Sequence, residues 1–157
     1  MSRPATQVFA YGTLMFPEVV EALLGRAFSS RPARLVGYAR LALRERVYPA
    51  IVARDGASTD GVLYAGVDDA SLSKLDEFEG ETYERRTVQV LGSSSVDPAA
   101  VALAAEAYVI APARLDLLEA TPWDPERFRS LHHQRYVAHG RSLRAQGGGA
   151  VAFERRD

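Results

Sequence analysis

Residues Gln7–Leu14 read QVFAYGTL, a stretch that mixes β-branched and aromatic residues and then meets a glycine. This composition is typical of a strand that runs into a loop. Pro17 suits the first turn of a helix, and apolar residues then recur at helical spacing until Gly25. The sequence therefore predicts a strand, a glycine turn and a short helix in succession.

Three further stretches after this unit have the character of strands. Ala33–Leu43 fits periods of two and 3.6 almost equally, and the strand is favoured because Gly37 is a poor helix residue. Tyr48–Ala53 and Gly61–Val67 are short β-like runs, separated by Arg54–Asp60, which is rich in Asp, Gly and Ser. We expect these two runs to be paired strands joined by a hairpin turn.

A helix and two more strands follow. Asp68 or Asp69 is a suitable N-cap for a helix that carries apolar residues at three-residue intervals and stops at Gly80. Thr82–Leu91 alternates as a strand should, and Ala100–Ile110 is a second apolar strand. A loop rich in Gly, Ser, Asp and Pro is expected between them, at residues 92–98.

The last third of the chain has helical character. We expect a short helical segment from Pro112 to Glu119 and a longer one from about Asp124, with an apolar stripe at Phe128, Leu131, Tyr136 and Val137. The sequence as a whole predicts an α+β fold: a small mixed β-barrel with flanking helices and a helical C-terminal extension. We expect a single domain over residues 1–145 and a glycine-rich tail over residues 146–157.

Composition limits the possible functions. The 157 residues are 47% hydrophobic and 25% charged, which is average for a globular protein and excludes global disorder. The net charge of -1 gives no excess positive charge for binding nucleic acid. No stretch approaches the length needed to span a bilayer, and no signal peptide is evident at the start. The absence of cysteine excludes thiol chemistry and fits a cytoplasmic protein.

Glu79 stands out in the acidic stretch Asp76, Glu77, Glu79 and Glu81. At about 100° per residue, its side chain projects between Leu72 and Leu75 on the apolar face of the predicted helix, whereas Glu77 points into water. Burial and the negative end of the helix dipole both raise the pKa of a carboxyl group at this position. Two interpretations remain open: a solvated helix end, or a carboxyl group that exchanges protons near neutral pH.

The turn Tyr11-Gly12-Thr13-Leu14 is a second candidate site. Glycine lets the backbone approach a ligand closely, and successive N–H groups that lead into a helix suit an anion such as a carboxylate. A purely structural glycine turn is the alternative. His132, His133 and His139 lack the spacing of a metal site, so no metal ligand is predicted, and Trp123 is interpreted as an anchor that docks a helix.

Several motifs in the right order carry a family resemblance. They are YGTL at Tyr11–Leu14, YPAIV at Tyr48–Val52, GVLY at Gly61–Tyr64, LDEFEG at Leu75–Gly80 and the YERRTV that begins at Tyr83. Together they resemble the γ-glutamylcyclotransferase-like superfamily, and within it the γ-glutamylamine cyclotransferases and the plant avirulence-induced proteins. A Trp-x4-Phe pattern at Trp123 and Phe128 extends the similarity.

The resemblance implies a small β-barrel whose cavity holds the glycine turn opposite one glutamate, which maps onto Glu79. That glutamate would act as general acid and base, while the backbone of Tyr11, Gly12, Thr13 and Leu14 would hold the glutamyl group of the substrate. The implied reaction releases 5-oxoproline and a free amine from a γ-glutamyl amine or γ-glutamyl amino acid. No cofactor is implied, and the resemblance leaves open a monomer or a homodimer.

Other residues of the implied site have more than one interpretation. Tyr48, Tyr83 and Tyr11 are candidates to line the cavity, although core packing explains each of them as well. Arg85 or Arg86 occupies the arginine position of the family, and alternation along the strand favours Arg85 as a structural ion-pair partner.

Alternatives to the implied enzyme also remain. One is a binding or interaction module that keeps the barrel without the activity, and another is a hydrolase in which Glu79 activates water. Among enzymes, the leaving amine is left undecided.

Overall fold

A computed structural model describes residues 6–92 and 102–145 of the chain. Its strands are β1 (Thr6–Ala10), β2 (Ser30–Leu43), β3 (Pro49–Val67), β4 (Tyr83–Gly92), β5 (Leu103–Ile110) and β6 (Leu118–Pro122). Its α-helices are α1 (Pro17–Leu24), α2 (Asp69–Glu79), α3 (Pro125–Leu131) and α4 (His133–Ala145). Three short 3₁₀ segments cover Thr13–Met15, Gly80–Thr82 and Pro112–Leu117.

Five of the strands form a closed barrel. Their order is β3-β1-β5-β4-β2, and a further pairing between β2 and β3 closes the ring. The β1–β5 pair is parallel and the other pairs of the ring are antiparallel, so the sheet is mixed. β6 lies outside the ring and pairs with the end of β2 at Leu41 and Leu43. The predicted α+β class with a small mixed barrel and flanking helices is confirmed.

The predicted hairpin turn at Arg54–Asp60 is wrong. These residues lie inside the single long strand β3, and the segments before and after them pair with β2 rather than with each other. Tyr38 is opposite Ala53, but Val36 is opposite Ser58, so β3 carries extra residues at this point. The glycine- and serine-rich stretch therefore forms an irregularity within a strand, of the kind that bends a sheet into a barrel.

The helices α1 and α2 and the strand β2 confirm their predictions. The side chain of Asp68 accepts a hydrogen bond from the backbone N–H of Ser71 at 3.1 Å, so Asp68 is the N-cap of α2. Gly80 follows the helix with a φ of 67°, a left-handed value that favours glycine. Glu79 is thus the last residue of α2.

The C-terminal part of the chain differs from the prediction in two respects. The helical segment expected as far as Glu119 ends at Leu117, because the next residues pair with β2 as β6. The longer helix is divided at His132 into α3 and α4, and Leu131 is 61% exposed, so it does not belong to the apolar stripe. Residues 93–98 of the predicted loop and the tail from residue 146 lie outside the described residues.

The core fills the barrel and continues under the helices. The residues Phe9, Leu35, Leu63, Val90 and Ala107 are buried between the strands. The barrel is therefore packed with side chains, and we look for a ligand site at its rim.

Within the described parts of the chain, no helix combines the length and the apolar character needed to cross a membrane.

Gly61 provides a test of the barrel. A Cβ atom at this position of β3 would lie 2.4 Å from the carbonyl oxygen of Ala10 and 2.8 Å from the ring of Phe9. We expect Gly61→Ala to lower the free energy of unfolding by roughly 1–3 kcal/mol, as overpacked cores do. Gly92→Ala is the control, because nothing lies within 4 Å of a Cβ atom there. Chemical denaturation measures both variants, and equal stabilities would contradict the close approach of β1 and β3.

Candidate active site

A cleft opens at one end of the barrel, between the turn that follows β1 and the end of α2. The space between its walls, including the open mouth, is about 580 Å³. Glu79 is the one carboxylic acid among the described residues that line it, and the other lining side chains are mostly aromatic or aliphatic. The lining consists of Val8, Phe9, Ala10, Tyr11, Gly12, Thr13, Leu14, Tyr48, Pro49, Phe78, Glu79, Thr82, Tyr83, Tyr108 and Tyr136.

The glycine turn is held closely against the start of β3. A Cβ atom on Gly12 would lie 2.9 Å from Cδ of Pro49, so a larger residue at Gly12 requires one of the two segments to move. The carbonyl oxygen of Gly12 accepts a hydrogen bond from the N–H of Met15 at 3.0 Å. The hydroxyl of Tyr64 donates to the carbonyl oxygen of Leu14 at 2.7 Å. The turn is therefore fixed in shape before any ligand binds.

Glu79 reaches the cleft from the C-terminal end of α2. Leu72, Leu75 and Phe78 are buried on the inner face of the helix, as the helical spacing predicts. Glu79 is half-buried and lines the cleft, whereas Glu77 is exposed on the outer face. The two carboxylates are thus two residues apart in sequence and lie in opposite environments.

The environment of Glu79 opposes its ionisation. Burial raises the pKa of its carboxyl group from 4.5 to about 8, with a smaller contribution from the negative charge of Asp76 one turn earlier. The negative end of the helix dipole acts in the same direction. Across residues 6–92 and 102–145, no arginine, lysine or histidine forms an ion pair with Glu79. The carboxyl group of Glu79 therefore keeps its proton at neutral pH and loses it only near pH 8.

Three tyrosines complete the polar side of the cleft. The hydroxyl of Tyr11 donates to the carbonyl oxygen of Tyr108, and that of Tyr83 donates to the carbonyl oxygen of Pro49 at 2.6 Å. The hydroxyl of Tyr108 donates to Oδ1 of Asp76 at 2.7 Å. Burial raises the pKa of all three tyrosines above 10, so they stay neutral and act as hydrogen-bond donors.

Asp76 is also held in place by Arg85, which donates to the same oxygen, Oδ1, as Tyr108. The guanidinium of Arg85 bridges Asp76 at 2.9 Å and Glu106 at 2.7 Å, so the expectation that Arg85 is an ion-pair partner is confirmed. Arg86 points to the other face of β4 and pairs with Glu84 at 2.7 Å. The carboxylate that acts on the pKa of Glu79 is therefore itself fixed by a cation and a tyrosine.

All the site residues expected from the sequence meet in this cleft: Tyr11, Gly12, Thr13, Leu14, Tyr48, Glu79 and Tyr83. The sequence reasoning missed Tyr108, which shares a face of β5 with Glu106 and reaches Asp76, and Tyr136, which the sequence places only in a packing stripe. The three histidines do not line the cleft, and no cluster of potential metal ligands occurs in the described portion of the chain. Trp123 donates from Nε1 to the carbonyl oxygen of Val47 at 2.8 Å, as an anchor should.

The raised pKa of Glu79 makes stability depend on pH. Between pH 4.5 and about 8 the folded chain keeps a proton on Glu79 that the unfolded chain loses, so this group destabilises the fold progressively as the pH rises. We expect Glu79→Gln to be more stable than the parent above pH 8, with a difference that shrinks to nothing towards pH 4.5. Denaturant titrations at several pH values measure this difference in the free energy of unfolding, with Glu77→Gln as the exposed control. A constant difference across this range would contradict the raised pKa.

Comparison with known proteins gives a consistent family. Residues 8–125 match the family model described as "Gamma-glutamyl cyclotransferase, AIG2-like". AIG2-like protein D of Arabidopsis thaliana is 38% identical over 130 residues, which cover 83% of each chain. A solution structure of an Arabidopsis thaliana protein is 32% identical, with a TM-score of 0.67 over 95% of this chain and 88% of that one.

A solved structure with a less similar sequence has the same fold. A solved protein named gamma-glutamyl cyclotransferase is 17% identical, with a TM-score of 0.59 over 92% of this chain and 80% of that one, and this likeness concerns the fold alone. The family model covers most of the chain, from Val8 in β1 to beyond the end of β6, and includes the residues that line the cleft from those elements. The chain belongs to the AIG2-like gamma-glutamyl cyclotransferase family.

Proposed function

We propose that this protein is a γ-glutamyl cyclotransferase that converts a γ-glutamyl amine or γ-glutamyl amino acid to 5-oxoproline and a free amine. The observation that carries the proposal is the Glu79 carboxyl group, which lines the cleft, has no cationic partner among the described residues and has its pKa raised to about 8. A carboxyl group with this raised pKa is, once ionised, a stronger base than an ordinary glutamate, and it can return the proton that it accepts near neutral pH.

The reaction proposed for the cleft is intramolecular. The neutral α-amine of the substrate attacks the carbon of its own γ-carbonyl group, and a new C–N bond forms. The Glu79 carboxylate takes the proton that the attacking nitrogen loses. Glu79 then gives that proton to the leaving nitrogen as the original amide bond breaks. The carboxylate is regenerated, and the protein supplies no nucleophile, which suits a chain without cysteine.

The rest of the cleft would orient the substrate. The glycine turn at Gly12, Thr13 and Leu14 offers backbone N–H groups at the beginning of a helical turn, where such groups lack partners within the turn. These groups suit the α-carboxylate of the glutamyl moiety. Holding the chain of the substrate in a folded shape brings the amine and the carbonyl group together, which is a large source of rate enhancement for ring closure.

Replacement of the carboxyl group tests this role. General acid–base catalysis is worth roughly 10²–10⁴-fold, so we expect Glu79→Gln to lower kcat by at least ~100-fold on any γ-glutamyl substrate that the parent turns over. Glu77→Gln, which makes the same change on the exposed face of α2, should retain the activity. Mass spectrometry of the product identifies 5-oxoproline, which is lighter than glutamate by one water.

The outcomes of this test separate the competing functions. Release of glutamate in place of 5-oxoproline would indicate a hydrolase. Binding of γ-glutamyl amides without turnover by the parent would indicate a binding module on the same fold. Full activity of Glu79→Gln would contradict the proposed mechanism.

Asp76 allows the pKa of Glu79 to be shifted without removing Glu79. Because the charge of Asp76 raises the pKa of Glu79, Asp76→Asn should lower it, and the rise of kcat/KM with pH should move to lower pH. Glu106→Gln is the matched control, since Glu106 is the other carboxylate held by Arg85. An unchanged profile in Asp76→Asn would show that the ascending limb belongs to a different group.

A further inference from the structure

Arg40 of β2 is a half-buried cation that touches the glycine turn from behind. Its Nη1 donates to the carbonyl oxygen of Tyr11 at 2.9 Å and to that of Asp60 at 3.1 Å. Its guanidinium also lies 5.5 Å from the centre of the Trp123 ring. Burial lowers the pKa of Arg40, because the charged form loses hydration. Keeping a charged guanidinium at this position therefore costs free energy.

The contact with Tyr11 fixes the orientation of one peptide group. In a trans peptide the carbonyl oxygen and the following N–H point in opposite directions. Since Arg40 holds the oxygen of Tyr11, the N–H of Gly12 points away from Arg40. The carbonyl oxygens of Gly12 and Leu14 are likewise taken up by protein donors. Oxygens that would repel an anion are therefore engaged, and no other described residue accepts a hydrogen bond from the N–H of Gly12, Thr13 or Leu14.

Electrostatics point the same way. Among the described residues, the cleft lining contains no arginine or lysine, so no lining side chain supplies a positive charge for a carboxylate. A guanidinium bonded to the Tyr11 carbonyl oxygen polarises that peptide group and strengthens its N–H as a donor. Arg40 thus acts on the turn without entering the cleft.

We propose that Arg40 is a positioning residue, which holds and polarises the Tyr11–Gly12 peptide so that the turn binds the α-carboxylate of a glutamyl ligand. The inference rests on the proposed function for the identity of the ligand. It assigns to Arg40 an effect specific to a negatively charged ligand group. A merely structural arginine would affect the binding of charged and uncharged ligands equally.

Direct binding of the expected product provides the test. Calorimetry compares 5-oxoproline, which carries the carboxylate, with its neutral carboxamide. We expect Arg40→Gln to weaken the binding of 5-oxoproline by about 10- to 100-fold, the usual effect of losing a hydrogen bond to a charged group. Binding of the carboxamide should change far less. Arg40→Lys keeps the charge and should recover part of the loss.

Arg34→Gln is the matched control. Arg34 lies on the same strand, carries the same charge and is exposed, with its Nε 2.8 Å from Asp60. We expect it to leave both affinities unchanged. Thermal unfolding of each variant shows whether it is folded, and Arg40→Lys serves for the comparison if Arg40→Gln does not fold.

Two results would overturn the assignment of Arg40. The first is an equal loss of binding affinity for 5-oxoproline and for its carboxamide in the folded Arg40 variant. The second is failure of the parent protein to bind 5-oxoproline at millimolar concentration. Turnover is assayed separately. A parent that binds 5-oxoproline but forms none from γ-glutamyl substrates would contradict the proposed function and leave the role of Arg40 intact.

Discussion

The pairing of β3 with two strands at once is the constraint on which the fold depends. Along one edge β3 runs antiparallel to β2, and its second half also pairs with β1. This double pairing closes the barrel and places the start of β3 beside the cleft. Pro49, at its start, lies against Gly12 and accepts the hydrogen bond of Tyr83. The register of one strand therefore sets the distance between the glycine turn and the rest of the cleft.

The cleft combines a rigid glycine turn with a carboxyl group in an unfavourable place. Glu79 stands at the end of α2, where burial, a neighbouring carboxylate and the helix dipole all disfavour its charge. Asp76 is fixed by Tyr108 and Arg85, so its effect on Glu79 is built into the structure. Such an arrangement lowers stability at neutral pH and is typical of sites where a proton must be exchanged.

Much of this arrangement could be predicted from local sequence. The spacing of Leu72, Leu75 and Phe78 sufficed to place Glu79 on the inner face of α2, because helix periodicity is a local property. The glycine turn followed from the strand and helix signals on its two sides. The position of Glu79 and the glycine turn together in one cleft is what the structure adds.

Long-range pairing explains what the sequence did not reveal. Gly56 and its neighbours have the composition of a hairpin turn, yet β2 is long enough to pair on both sides of them, and the strand continues through an irregularity. Leu118–Pro122 forms a strand only because β2 offers it an open edge. Tyr108 and Arg40 owe their importance to contacts with Asp76 and Tyr11, which are distant in sequence.

The pKa of Glu79 is the central quantity of this account, and NMR measures it directly. The side-chain carboxyl carbon of Glu79, labelled with ¹³C and assigned by comparison with Glu79→Gln, is followed from pH 3 to pH 10. The account predicts a half-titration point at about 8. Titration near the ordinary value of 4.5 would contradict it, because the cleft would then not disfavour the charge of Glu79, and its carboxylate would be only a weak base for the proton of the attacking amine.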